Sequence, residues 1–188
     1  MQNLLAKNTA LLVVDVQKGL NDPSLGNRNN PHAEKNIALL LAAWRQKDWP
    51  VVHVKHCSVE PDSLLRPGLP GNEIQTEAQP APGEAVFSKT TNSAFIGTDL
   101  ENFLHKEKIE SLVVVGLTTD HCISTSVRMA ANLGFDVILV SDATATHDRT
   151  GHDGVRYTAE QIHQVNLISL NGEFCQMAET QSLLQELN

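Results

Sequence analysis

Short apolar runs rich in β-branched residues alternate along this chain with segments of helical period. Ala10–Val14, Val51–Lys55, Ala85–Lys89, Leu112–Val115 and Asp136–Val140 read as strands. Pro31 and His32 open a helix in which Ile37, Leu40, Leu41 and Trp44 keep the i, i+3, i+4, i+7 spacing. Thr98 or Asp99 caps a second helix running to Lys106, with Leu100, Phe103 and Leu104 on its inner face. His121–Leu133 forms a third, burying Ile123, Val127 and Ala130/Ala131, and Gly134 stops it. Thr158–Leu170 is helical, Phe174–Met177 forms a short last strand, and Thr180 caps a terminal helix carrying Leu183, Leu184 and Leu187. Strands that are apolar on both faces need cover on both sides. The pattern therefore predicts an α/β fold: a doubly wound parallel sheet in a three-layer α/β/α domain spanning residues 1–188.

At 188 residues the chain suits one domain with a full core. Its net charge of −8 argues against nucleic acid or an anionic membrane as partner. No run reaches transmembrane length, and the first residues lack the basic flank and long apolar core of a signal peptide. Cys57, Cys122 and Cys175 are odd in number and far apart, so a disulfide framework is not expected. A reducing cytoplasm follows as the expected location. Residues 56–84 contain five prolines and three glycines with little periodicity. A loop that long inside a compact domain reads as a lid or binding loop, and Arg66 is placed to cover a site.

Chemistry concentrates at the carboxyl ends of the strands, where open parallel sheets bind ligands. Asp15 closes the first strand, Lys89 the third, and Cys122 follows the fourth on the first turn of a helix. Free cysteines usually pack, an acid there also serves as a loop cap, and a lysine there also snorkels into water. Three complementary groups at corresponding strand ends favour function. The helix N-terminus is expected to favour the thiolate, the carboxylate to take its proton, and the ammonium to hold the charge.

The runs Leu-Leu-Val-Val-Asp-Val-Gln (11–17), Phe-Ser-Lys-Thr-Thr-Asn-Ser-Ala-Phe (87–95), Val-Val-Gly-Leu-Thr-Thr-Asp-His-Cys-Ile (114–123) and Asn-Leu-Gly-Phe-Asp-Val-Ile-Leu-Val-Ser-Asp-Ala (132–143) occur in this order. In this the chain resembles the isochorismatase-like cysteine hydrolases, from about residue 10 to about 177. The resemblance implies sheet order 3-2-1-4-5-6 and a catalytic triad of Asp15, Lys89 and Cys122. It also implies a cis peptide between Leu117 and Thr118, aiming the N–H groups of Thr118 and Cys122 at one point as an oxyanion hole. The implied activity is cysteine-dependent hydrolysis of a small amide, carbamoyl or lactam-like C–N bond through an acyl-thioester. The alternatives are another bond cleaved by the same triad, or a silent member that binds a metabolite or partner.

The cysteine argues against vinyl-ether cleavage. His56 and Ser58 stand where nicotinamidases carry the first metal ligands, so the chain is nearer streptothricin-hydrolase-like members, with no metal and no cofactor expected. His53 and His56, three apart on an extended segment, should point to opposite faces. Asn92, His121 and His147 are candidate pocket residues. Phe95 is another, and reads equally as the anchor of the helix behind it. The tract 146–153 reads as a solvated loop rather than a metal site. Family resemblance implies a homo-oligomer, dimer or tetramer.

Overall fold

A computed structural model describes residues 5–6 and 8–187; positions 1–4, 7 and 188 of the single domain read from the sequence lie outside the described residues. The strands are β1 (Ala10–Val14), β2 (Val51–His56), β3 (Ala85–Lys89), β4 (Ser111–Leu117), β5 (Asp136–Ala145), β6 (Arg149–Thr150), β7 (Arg156–Tyr157) and β8 (Gln176–Ala178). Six of them form one parallel sheet in the order β3-β2-β1-β4-β5-β8, while β6 and β7 pair as a small antiparallel ribbon. The expected order holds, with β8 as its sixth strand because the ribbon intervenes.

The helices are α1 (Ala33–Gln46), α2 (Leu100–Lys106), α3 (Ser124–Asn132), α4 (Ala159–Leu170) and α5 (Thr180–Leu187). Successive strand residues face opposite ways, so each central strand feeds two cores. Leu12, Val14, Val114 and Leu139 pack with Leu104, Val127 and Leu170 under α2, α3 and α4. Leu11, Val13, Val113 and Val115 pack with Ile37, Leu41, Trp44 and Leu183 under α1 and α5. The indole of Trp44 is fully buried and donates to the Thr9 carbonyl at 2.9 Å, which removes the cost of an unpaired N–H.

Several boundaries differ from the sequence reading. β5 runs on from Val140 to Ala145 although its apolar run ends there, because Thr144 and Ala145 pair with Gly116 and Leu117 after a register shift in β4. The helix expected from His121 begins instead at Ser124, preceded by a π turn over Thr119–Ile123 in which Ile123 N–H donates to Thr118 O at 3.2 Å. The last strand is Gln176–Ala178 rather than 174–177. Gly116, paired with Val14, has φ 127°. A Cβ there would meet Val14 O at 1.9 Å, so only glycine lets β4 pass this close to β1.

Candidate active site

β1, β4 and β3 deliver their ends to one rim of the sheet, on either side of the point where strand order reverses. Asp15 leaves β1 with φ 52°, a left-handed conformation that aspartate tolerates better than most residues. Its N–H donates to Val54 O at 2.8 Å, and its carbonyl accepts from Gln17 N–H at 2.8 Å. Beyond β4 the Leu117–Thr118 peptide is cis, and the π turn then carries Cys122 back toward β1.

Lys89 connects the three. Its Nζ donates to Asp15 Oδ2 at 2.6 Å and reaches Cys122 Sγ at 3.3 Å, with both charged side chains 1% exposed or less. The same Nζ donates to Thr91 O at 3.1 Å and lies 3.3 Å from His56 Nδ1. An ammonium has three protons. Bonds to Asp15 and Thr91 leave one proton shared between the imidazole and the sulfur. Asp15 Oδ1 is buried and takes no hydrogen bond among the described residues, which leaves an acceptor open beside the thiol.

The electrostatics correct the expectation of a thiolate. Burial, and then the neighbouring Asp15 carboxylate, push the Cys122 thiol up to about 12, more than Lys89 offsets. Burial also raises Asp15, against the pull of Lys89. One cation cannot neutralise two anions in a dry site, so the sulfur keeps its proton at rest. The π turn does not supply the well-formed helix N-terminus on which the thiolate argument depended.

His56 is the residue whose place beside the triad the sequence reading missed. The strand run read from the sequence stops at Lys55, yet His56 is the last residue of β2 and pairs in register with Lys89. Two buried amides clamp its backbone. Gln17 accepts from His56 N–H at 2.8 Å and donates to His56 O at 2.9 Å, while Asn72 donates to the same carbonyl at 2.7 Å. Burial, then Lys89, lowers the His56 pKa and keeps the ring neutral. His53 does point the other way, with Nε2 2.9 Å from Glu84 Oε2. Asp15, His56 and Cys122 bring carboxylate, imidazole and thiol atoms within 4.8 Å of one another, a set with the chemistry of a metal site. The Lys89 ammonium already bonds all three groups, and a metal cation would have to displace it.

A cavity of about 260 Å³ opens above the sulfur. Leu20, Leu25, Leu65 and Leu117 give it apolar walls, and Arg149 stands among its polar residues. Asn92, His121 and His147 line it as expected, with Asn92 Oδ1 3.8 Å from Cys122 Sγ. Phe95 does not. It is 7% exposed and stacks on Phe135 at 6.0 Å in the core under α2 and α3, so its anchoring role is the one the structure supports.

The 56–84 segment contributes Leu65 to the wall and is tied down by Asn72, which also donates to Leu65 O at 2.7 Å. Arg66 instead bonds the Pro61 carbonyl and stands outside the cavity lining. The 146–153 tract is not a solvated loop throughout. Thr146 and His147 are buried, and Arg149 Nε holds Asp120 Oδ2 at 2.8 Å. Leu20, Leu25 and Arg149 carried no sequence signal, since nothing local tells a wall residue from any loop leucine or arginine.

The sheet, with a thiol, a carboxylate and an ammonium converging at its switch point, places the chain among three-layer α/β proteins built around a cysteine-centred site. The Isochorismatase domain family matches residues 9–166. The isochorismatase family protein YrdC of Bacillus subtilis (strain 168) is 42% identical over 182 residues, covering 97% of each chain. A streptothricin hydrolase of Streptomyces noursei is 32% identical over 152 residues, 79% of this chain and 59% of its own. A crystal structure of an isochorismatase-family protein from Chromobacterium violaceum superposes with a TM-score of 0.94 at 43% identity, covering 97% of this chain and 95% of that one. The chain belongs to the isochorismatase family, and is a hydrolase.

Proposed function

We propose that the protein is a cysteine-dependent hydrolase of a small amide, carbamoyl or lactam-like C–N bond, working through an acyl-thioester on Cys122. The observation that carries this reading is the single ammonium of Lys89 held 2.6 Å from Asp15 Oδ2 and 3.3 Å from Cys122 Sγ. At rest the trio is carboxylate, ammonium and thiol. As sulfur attacks the carbonyl carbon, Asp15 takes the thiol proton, and the carbonyl π electrons move to oxygen. The oxyanion is received by the N–H groups of Thr118 and Cys122. On collapse Asp15 returns the proton to the leaving nitrogen, and the C–N bond breaks. Water then attacks the thioester and gives a proton to Asp15. The second collapse breaks the C–S bond, sulfur recovers the proton, and a carboxylic acid leaves.

An amine leaves poorly unless protonated, whereas an alkoxide makes less demand on an acid. A carboxyl whose proton affinity is raised by burial is suited to supply that proton, so the site meets the demand that a C–N bond makes. A volume of about 260 Å³ falls below the roughly 300–1,000 Å³ typical of drug-sized ligands, so the substrate, or the part that enters, is small. The leucines offer contact to an apolar body, and Asn92, His121, His147 and Arg149 offer polar partners. Burying an intact ion pair and thiol without use would be costly, which counts against a silent member. The cycle needs a reduced sulfur, consistent with a reducing compartment.

The test is a panel of small amides, ureido compounds and lactams with wild type and Cys122→Ala. Turnover by wild type and none by the variant supports the reading; undiminished turnover by Cys122→Ala removes sulfur from it. Mass spectrometry should place an electrophile's adduct on Cys122 rather than on Cys57 or Cys175.

A further inference from the structure

We propose that His163, on α4, is a positioning residue for the oxyanion turn and acts through the hydroxyl of Thr119. The inference rests on the thioester reading above. His163 Nδ1 lies 2.9 Å from Thr119 Oγ1, and the two residues are 2% and 0% exposed. Thr119 opens the π turn and stands between the two residues, Thr118 and Cys122, whose N–H groups must aim at one point.

The proton on the ring is placed by its surroundings. Burial lowers the pKa of His163, so the ring is neutral, with one donor and one acceptor. Asn30 Nδ2 donates to the carbonyls of Ser141 at 2.9 Å and Thr144 at 2.7 Å. That Nδ2 is 3.5 Å from His163 Nε2 with both of its protons already committed, so Nε2 has no donor there to accept from and carries the ring proton. Nδ1 is left to accept from the Thr119 hydroxyl.

The turn is thereby held from three directions. Thr118 O accepts from His121 and Ile123 N–H, both at 3.2 Å. Asp120 is gripped by Arg149 and Thr146. Thr119 is tied to α4 in the layer behind. A valine at 119 would have the same shape, and an apolar pair in place of both partners would cost the fold little. What the buried polar pair adds is direction, and a misplacement of about 1 Å at a reacting centre can cost roughly a hundredfold in rate.

Four variants and four readouts (amide turnover, aldehyde inhibition, alkylation and thermal stability) test this: Thr119→Val, His163→Leu, His163→Asn and the double Thr119→Val/His163→Leu. Turnover of an amide and inhibition by an aldehyde both develop an oxyanion. Alkylation of Cys122 by iodoacetamide does not. Each single apolar variant should lower kcat by about tenfold or more with KM within about twofold, and weaken aldehyde inhibition in parallel. The iodoacetamide rate should stay within about twofold. His163→Asn, which puts an amide oxygen near the place of Nδ1, should restore most of kcat.

The double variant should recover thermal stability but not kcat, and lose no more rate than either single, as expected of groups acting as one unit. Recovery of kcat together with stability, or unchanged aldehyde inhibition in the single variants, would show a packing role only and overturn the proposal. Failure of the parent reading looks different. A wild type whose Cys122 is not protected by any aldehyde and whose amide turnover survives Cys122→Ala would overturn both.

Discussion

Lys89 faces two groups that compete for one positive charge, and the protonation of the trio follows from that competition. The carboxylate of Asp15 holds the ammonium at 2.6 Å, and its own negative charge is among the forces that push the Cys122 thiol up to about 12. Removing that charge should therefore separate two properties that usually move together. Asp15→Asn should lower the thiol pKa, so that iodoacetamide alkylates Cys122 faster at a fixed, mildly alkaline pH. The same variant should lose amide turnover by roughly 10²- to 10⁴-fold, because the proton acceptor is gone. Slower alkylation in Asp15→Asn would mean that the carboxylate does not restrain the sulfur. At this scale the triad was legible because each member ends or follows a β-branched run, a position with few structural uses. His56 was not, because its partner Lys89 is 33 residues away and only strand register brings the two together.

Among the elements, the passage of β4 beside β1 is the tightest constraint on the site. A Cβ on Gly116 would strike Val14 O, one residue before Asp15 and two residues before Thr118. Gly116→Ala should destabilise the fold by at least about 2 kcal/mol, read by chemical denaturation, since a φ of 127° and a backbone clash oppose it together. The long 56–84 segment is set by a different device. Asn72 is 5% exposed and donates to the carbonyls of His56 and Leu65, one beside Lys89 and the other in the cavity wall. Asn72→Ala removes one of two donors from each carbonyl, leaving Gln17 on His56 O and the Ser58 N–H on Leu65 O, and loosens the wall. KM should rise several-fold, on the order expected for loss of one or two buried hydrogen bonds, with a smaller change in kcat. An unchanged KM would show that Leu65 does not shape the substrate site. The strands and helices were readable where periodicity is strong. The π turn and the far half of β5 were not, because Ser141–Ala145 carries polar residues that pair with β4 only after a register shift.

Over the whole molecule, polar groups in the site and away from it make stability depend on pH in opposite senses at the two ends of the scale. Burial would raise Glu84 and Asp120, but Arg45, the Ala81 N–H and His53 hold the first at about 2, and Arg149 and Thr146 hold the second at about 2. Both folded values lie below the ordinary 4.5 and 3.8. Their stabilisation is therefore present above the ordinary carboxylate range and is lost as pH falls through about 2. Each contributes on the order of 2 kcal/mol, with side chains only 12% and 9% exposed. Asp15 and Cys122 act the other way. Their folded values are raised, so the folded chain holds these protons longer, and stability drains as pH rises above each unfolded value, for the thiol between 9.0 and about 12. Denaturation midpoints measured against pH should fall at both ends. Glu84→Gln should flatten the acid limb and leave the alkaline limb in place. Cys122→Ala should flatten the alkaline limb and leave the acid one. If Cys122→Ala has as steep an alkaline loss as wild type, the buried thiol does not hold its proton in the folded state, and the resting charge assignment on which the catalytic cycle is built is wrong.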